Sequence, residues 1–242
     1  MWKLPIMRLG VGQLELMCGD LEYNLDRTTV LLEEATRESV DALVLPEMTN
    51  SGYYFESYEE AQATSEVIPK GPFSRLLLDW SKAGGLVLAG INERVNDDLS
   101  NSAAFFADGK HLGTYRKIHL FGPEKNWFKS GTKRIHAIDY NGHRYGAIIC
   151  FEWNFPDLIS KLAANGAEIV LHPLNSGIQV WRDAMRASAI ENHVFTASAN
   201  RVGTEREKSF SGGSSIIAPH GEVLLRMDAN SPGVGWVDIP MD

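Results

Sequence analysis

The feature that most constrains the fold of this chain is a repeated alternation of short apolar segments with helical patterns. In the first half, these patterns predict strands at residues 7–14, 42–45 and 86–91 and helices at residues 24–39 and 73–82. In the second half, they predict strands at residues 144–149, 168–171 and 194–199 and helices at residues 156–164 and 180–192. This order is typical of layered α/β folds, so we predict a sheet-rich core with helices outside.

Turn residues, not helices, join two further pairs of apolar segments, and both pairs predict β-hairpins. Asp108-Gly109 separates residues 102–107 from 111–116, and Pro219-His220-Gly221 separates residues 214–218 from 222–226. A last strand is predicted at residues 235–239.

Residues 118–133 keep no period and mix aromatic, Gly and charged residues, as in a loop that lines a site. No linker rich in Gly, Ser or Pro divides the chain, so residues 1–242 are predicted to form a single domain.

Charge and composition argue against several classes of partner. The chain has 23 Lys and Arg against 31 Asp and Glu, a net charge of −8, and no clustered basic segment that would neutralise nucleic-acid phosphates. The N-terminus lacks a secretion signal, and no apolar run approaches the ~20 residues of a membrane span. We therefore expect a cytoplasmic protein that binds neither nucleic acid nor membrane.

The sequence also gives no pattern for a metal, an organic cofactor or a disulfide framework. Seven His residues are scattered without zinc-site spacing, and no phosphate loop or dinucleotide fingerprint is present. Cys18 and Cys150 are the two cysteines, too few for a disulfide scaffold. We expect an intracellular protein without a cofactor.

Three reactive side chains follow predicted strands. Glu47 follows Leu43-Val44-Leu45-Pro46, Lys117 ends the second strand of the first hairpin, and Cys150 follows Gly146-Ala147-Ile148-Ile149. Ligands of α/β sheets usually bind at the carboxyl ends of strands. We therefore predict that these three side chains meet in one site.

Each of the three also has an ordinary interpretation when taken alone. Cys150 fits a small buried apolar side chain, and Glu47 and Lys117 fit solvated residues at strand ends. Against this, Cys150 lies between a strand and Pro156, which suits the first turn of a helix. A thiol at such a corner meets backbone amides and a helix dipole that favour the thiolate.

A set of aromatic residues fits either a pocket wall or a core. Its members are Trp127, Phe128, Phe151, Trp153, Phe155 and Trp181.

Three motifs together resemble those of the nitrilase superfamily of carbon-nitrogen hydrolases. They are residues 45–53 (LPEMTNSGY), 115–120 (YRKIHL) and 149–156 (ICFEWNFP). Supporting segments are residues 124–131 (EKNWFKSG), 189–192 (AIEN) and 210–221 (FSGGSSIIAPHG). The resemblance covers most of the chain.

The resemblance implies a four-layer α-β-β-α sandwich and a covalent acyl-enzyme without metal or cofactor. Cys150 would be the nucleophile, and Glu47 would take the Cys150 proton, pass it to the leaving ammonia or amine, and then activate the hydrolytic water. Lys117 and the backbone N–H of Phe151 would stabilise the oxyanion, and Glu124 would orient the site. Homodimers or higher homo-oligomers are expected.

The substrate is less constrained, because Glu152 and Asn154 stand where many members carry Asp and Arg. Candidate substrate-binding residues are Tyr53, Tyr54, Phe151, Trp153 and Asn175. The leading prediction is hydrolysis of a small aliphatic amide to acid and ammonia. Alternatives are a nitrile or an N-carbamoyl substrate, the latter weakened by the lack of an Arg cluster, and a pseudoenzyme that serves in binding or assembly.

Overall fold

The fold is described from a computed structural model, for residues 6–132 and 137–241. The strands are β1 (Ile6–Glu15), β2 (Ala42–Val44), β3 (Leu86–Val95), β4 (Asp98–Ala107), β5 (Lys110–Arg116), β6 (Ile138–Tyr140), β7 (His143–Ala147), β8 (Ile169–Pro173), β9 (Phe195–Ala199), β10 (Arg201–Val202), β11 (Thr204–Glu205), β12 (Lys208–Ser209), β13 (Ser215–Ile217), β14 (Val223–Arg226) and β15 (Gly233–Pro240). The helices are α1 (Leu21–Arg37), α2 (Tyr58–Ala63), α3 (Pro72–Ser81), α4 (Glu124–Trp127), α5 (Pro156–Ala164) and α6 (Trp181–Asn192), with a 3-10 helix at Cys150–Asn154.

The strands form two large sheets and one short hairpin. The first sheet has the order β10-β1-β2-β3-β4-β5, with β15 antiparallel to β1, and the second has the order β14-β13-β9-β8-β7-β6. Parallel pairs lie at the centre of each sheet, β1-β2-β3 in the first and β7-β8-β9 in the second. The β11-β12 hairpin pairs apart from both.

Alternation along the central strands gives each sheet two apolar faces. Leu43 and Leu45 pack with Leu31 of α1 and Leu77 of α3, whereas Val44 points to the opposite face and joins the core between the sheets. Successive side chains of a strand point to opposite faces, so one short strand contributes to two layers of packing.

The second sheet is covered in the same way on its outer side. Helices α5 and α6 pack against this outer side through Leu158, Leu162, Met185 and Ala189. The layers are therefore helix, sheet, sheet and helix, which confirms the predicted α-β-β-α sandwich.

Local signals explain where the main helices begin. The Asp20 side chain accepts a hydrogen bond from the Tyr23 N–H and caps α1. Pro72 and Pro156 occupy the first turns of α3 and α5, where no N–H partner is needed. No helix of the described residues is long and apolar enough to cross a membrane.

Both predicted hairpins are confirmed, but several predicted boundaries are wrong. The strand predicted at residues 144–149 ends at Ala147, because the chain turns into the 3-10 helix. The region predicted as loop at residues 118–133 contains α4, and α2 was missed as well. These helices have four and six residues, too few for a period to show. Lys133 lies outside the described residues.

Gly90 connects the packing of β3 to the segment that carries Glu47. Its N–H donates to the carbonyl of Pro46, and its carbonyl accepts from the N–H of Thr49. A Cβ added to Gly90 would lie 2.4 Å from the Cα of Glu47, so the two segments approach more closely than any side chain allows.

We expect Gly90→Ala to lower the free energy of unfolding by about 1–3 kcal/mol, because the new methyl group must displace backbone. Gly113→Ala in β5 is the control, since its new Cβ first meets the end of the Ile138 side chain at 3.0 Å. Urea unfolding of both variants measures the difference. Equal losses in the two would show that the approach of Gly90 to Glu47 is not tight.

Candidate active site

A buried lysine between two buried carboxylates forms the centre of the candidate site. The Nζ of Lys117 lies 2.7 Å from Oε1 of Glu47 and 2.7 Å from Oε1 of Glu124. Glu47 follows β2 and Lys117 follows β5, and the carboxyl ends of these two strands lie on the same side of the first sheet. Glu124 is the first residue of α4. The three side chains are 0%, 0% and 3% exposed, so solvent screens these charges little.

Further donors fix the two carboxylates. Asn101 Nδ2 donates to Oε1 of Glu47 at 2.7 Å, and the hydroxyl of Tyr53 donates to Oε1 of Glu124 at 2.6 Å. The N–H of Phe121 donates to the other oxygen of Glu124. By contrast, Oε2 of Glu47 is buried and accepts no hydrogen bond from any described residue. This oxygen is available to take a proton.

The electrostatics of the cluster follow from burial and charge. Burial raises the pKa of Glu47, and the charge of Lys117 opposes this rise. Burial alone would lower the pKa of Lys117, but the Glu47 and Glu124 carboxylates outweigh burial and raise it. Lys117 is therefore a permanent cation in the site.

Cys150 lies on a strained turn directly after Ile149, where the chain leaves the second sheet. Its φ is +45°, in the left-handed region that costs energy for a residue with a side chain. Its Sγ lies 3.8 Å from the carbonyl oxygen of Asn175. Such a turn brings the thiol out of the sheet toward the edge where Glu47 and Lys117 lie.

Glu152 fixes the cysteine turn to the lysine turn. One carboxylate oxygen accepts the N–H of Ile149 at 2.8 Å. The other accepts the hydroxyl of Tyr115 at 2.7 Å and the N–H groups of Ile118 and His119 at 2.8 and 3.1 Å. One buried side chain thus holds residues on both sides of Lys117 and the residue before Cys150.

His172 fixes the same turn from the second sheet. Its Nε2 lies 3.0 Å from the carbonyl oxygen of Cys150, and its Nδ1 lies 3.0 Å from the hydroxyl of Ser198. A carbonyl only accepts, so Nε2 carries the hydrogen and Nδ1 accepts from Ser198. Burial lowers the pKa of His172 to about 4, which keeps the ring neutral.

Burial of Cys150 outweighs the backbone amides and helix dipole that were expected to favour a thiolate. Burial raises the pKa of the thiol well above its ordinary value, and the negative charge of Glu47 raises it further, although Lys117 opposes both. The helix that begins at Cys150 is a 3-10 helix of five residues, too short to outweigh burial. Cys150 rests as a thiol and needs a base. Cys18 is also a free cysteine.

A cavity of about 550 Å³ opens onto Cys150. All five predicted substrate-binding residues line it: Tyr53, Tyr54, Phe151, Trp153 and Asn175. The aromatic set therefore divides, since Phe151 and Trp153 line the cavity whereas Trp181 is fully buried in the core.

Several residues of the site were not predicted from the sequence. Asn101 and His172 lie inside strands, where a polar residue gave no sign that it faces the site. Phe121, Ile178 and the β11-β12 hairpin complete the cavity wall, and loop residues of this kind have no pattern of their own. No group of three or more His, Cys, Asp and Glu among the described residues has the geometry to hold a metal ion.

Comparison with known proteins identifies the family. The carbon-nitrogen hydrolase model matches residues 8–242. The chain belongs to the carbon-nitrogen hydrolase family, the nitrilase superfamily.

Relatives of this hydrolase include nitrilases and amidases. A nitrilase of Pyrococcus abyssi is 36% identical over 221 residues, covering 91% of this chain and 84% of the relative. An omega-amidase of Danio rerio is 30% identical over 259 residues, covering 99% of this chain and 88% of the relative. An amidase of Nesterenkonia AN1, solved as a cysteine-to-alanine variant, matches with a TM-score of 0.84 and 25% identity over 97% of this chain and 90% of that chain.

We expect Lys117→Met to destabilise this carbon-nitrogen hydrolase by about 3–5 kcal/mol near neutral pH, because two buried carboxylates lose their cation. The effect depends on pH. A buried Glu whose folded pKa is raised above its unfolded value stabilises the fold fully below the unfolded pKa, and this stability is lost as pH rises through the folded pKa. The variant should therefore lose more stability than the wild type between pH 5 and pH 8.

Urea unfolding at the two pH values measures this effect. Lys129→Met is the control, since its ion pair with Asp98 is 70% and 41% exposed; we expect a change below about 1 kcal/mol. Parallel pH profiles for Lys117→Met and Lys129→Met would contradict the prediction.

Proposed function

We propose that this hydrolase cleaves a small aliphatic amide to acid and ammonia through a thioester on Cys150. The observation that carries this proposal is the buried Lys117-Glu47 pair, which leaves one Glu47 oxygen without a partner among the described residues. Asn175 links Glu47 to the thiol, because its amide donates to the Glu47 carbonyl and its own carbonyl lies 3.8 Å from Sγ of Cys150. The proposed site thus combines a cation, a proton acceptor and a nucleophile, and the nucleophile lines the cavity.

In the proposed acylation, Sγ of Cys150 bonds to the amide carbon while Oε2 of Glu47 takes the thiol proton. The carbonyl electron pair moves to oxygen, and Lys117 and the N–H of Phe151 stabilise that oxyanion. When the carbon-oxygen double bond re-forms, the carbon-nitrogen bond breaks. Glu47 returns the proton to nitrogen, ammonia leaves, and the acyl group stays on Cys150 as a thioester.

Hydrolysis of the thioester uses the same groups. Glu47 takes a proton from water as the water oxygen bonds to the thioester carbon, and Lys117 again stabilises the oxyanion. The carbon-sulfur bond then breaks, the acid leaves, and Cys150 regains the proton from Glu47. The sum is amide plus water to acid plus ammonia.

Two observations support an amide with an apolar acyl group. Tyr54, Phe121, Phe151, Trp153 and Ile178 line the cavity, so most of its wall is apolar. In a Glu-to-Gln variant of the Nesterenkonia amidase, acrylamide is joined to the active-site cysteine by Michael addition, so an amide reaches that cysteine in a protein of the same fold.

A nitrile is the second candidate, because the Pyrococcus abyssi relative at 36% identity is a nitrilase. The same residues would carry a nitrile through a thioimidate on Cys150. An N-carbamoyl substrate with a carboxylate has less support: Asn154 stands where many members carry Arg, and Lys208 is the cation that lines the cavity in the described residues.

Ammonia release from a panel of small aliphatic amides, nitriles and N-carbamoyl compounds tests the proposal. We expect release from amides by the wild type and none by Cys150→Ala, with an acyl adduct of Cys150 visible by intact mass. Release from nitriles alone would replace the amide by the second candidate. Release that persists in Cys150→Ala would reject the mechanism.

Glu152 provides a separate test of how the site is positioned. We expect Glu152→Gln to lower kcat about a hundredfold, because a displacement of about 1 Å of a reacting group costs that much. The amide nitrogen of Gln cannot accept the N–H groups that Glu152 holds. Glu152→Asp keeps the charge and is the matched control, with a smaller loss. A change confined to KM, or equal losses in both variants, would contradict this role.

A further inference from the structure

A second cavity, of about 510 Å³, lies away from Cys150 between the start of α6 and the β13-β14 hairpin. Arg182, Arg186 and Arg226 line it, together with Asp183, Gln179 and Ser215. We call it the basic cavity. Three guanidinium groups against one carboxylate make it positively charged, although the chain as a whole carries a net charge of −8.

The three guanidinium groups are held together by neutral oxygen atoms. The side-chain oxygen of Gln179 accepts one hydrogen bond from Arg182 Nη1 at 2.7 Å and another from Arg226 Nη2 at 3.3 Å. Arg182 Nε donates to the Gly213 carbonyl, and Arg186 Nε donates to the Gly221 carbonyl. No carboxylate of the described residues is among these acceptors, and Asp183, the one carboxylate that lines the cavity, can balance only one of the three positive charges.

Two buried polar atoms of residues that line the basic cavity have no hydrogen-bond partner within the described residues. They are the hydroxyl of Ser215, a residue that is 1% exposed, and Nη2 of Arg182. Burial and the charge of Arg226 lower the pKa of Arg182. Both atoms are closed to solvent, so an anion in the cavity stabilises the clustered cations and not these two atoms.

We propose that the basic cavity binds an oxyanion of the phosphate class, either free phosphate or the phosphoryl group of a small molecule. Planar guanidinium groups match the geometry of phosphate oxygens. A carboxylate has only two oxygens to accept from them, so three guanidinium groups around one cavity favour a phosphate group.

The basic cavity shares a chain segment with the active-site cavity. Ser176, Gly177 and Ile178 line the active-site cavity, and Gln179 and Val180, the next two residues, line the basic cavity. An anion held by Gln179 and its neighbours would therefore contact the segment that forms one wall of the substrate cavity. The proposal is independent of which substrate that cavity takes.

Thermal unfolding in sodium phosphate against sodium chloride at equal ionic strength and pH tests the proposal. We expect phosphate to raise Tm of the wild type in a saturable manner, because a ligand of the folded state alone stabilises it. Arg186→Gln and Arg226→Gln should each weaken the apparent affinity by about tenfold, since hydrogen bonds to charged groups are the strong ones. Both side chains are exposed, so these variants keep the core intact.

Arg37→Gln is the matched control, since it removes the same charge from an exposed site in the last turn of α1. Its phosphate affinity should equal that of the wild type. Calorimetric titration with inorganic phosphate and with glycerol phosphate distinguishes the two sources, and tighter binding of glycerol phosphate indicates a phosphorylated small molecule. The proposal is overturned if phosphate and chloride shift Tm equally, or if the three variants bind phosphate alike.

Discussion

The site depends on one interaction, the ammonium of Lys117 held between the carboxylates of Glu47 and Glu124. Charges removed from water are stable only when they are paired and hydrogen-bonded. Lys117 donates to both carboxylates, Asn101 also donates to Glu47, and Tyr53 also donates to Glu124. The three side chains come from different segments after β2, β5 and at the start of α4. The cluster therefore fixes the relative position of these segments as well as their charges.

The cysteine turn is held to this cluster by groups that react with nothing themselves. A non-glycine residue at positive φ costs about 1–3 kcal/mol, and the surrounding contacts must offset that cost. Glu152 holds the residue before Cys150, and His172 holds the carbonyl of Cys150 itself. Because Glu152 also holds Ile118, next to Lys117, the position of the nucleophile is tied to the position of the cation.

The sequence predicted the layers of the fold and the approach of Lys117 to Glu47, because apolar runs indicate the strands and the reactive residues follow the strand ends. Period-two segments indicate strands, and reactive residues that follow parallel strands lie at one edge. It did not predict Asn101 or His172, since a polar residue inside a strand pattern does not reveal which group it faces. It also could not weigh the helix dipole at Cys150 against burial and a neighbouring carboxylate, because both of these depend on tertiary contacts.

The charge of the cluster explains why the thiol is protonated at rest. Two carboxylates and one ammonium leave one net negative charge in a buried site, and a resting thiolate would add a second beside it. Like charges in such a site disfavour ionisation. Proton transfer to Glu47 as sulfur bonds to carbon avoids this state, since negative charge passes to the carbonyl oxygen while Glu47 becomes neutral. Lys117 then faces one developing oxyanion and one carboxylate, the same balance of charge as at rest.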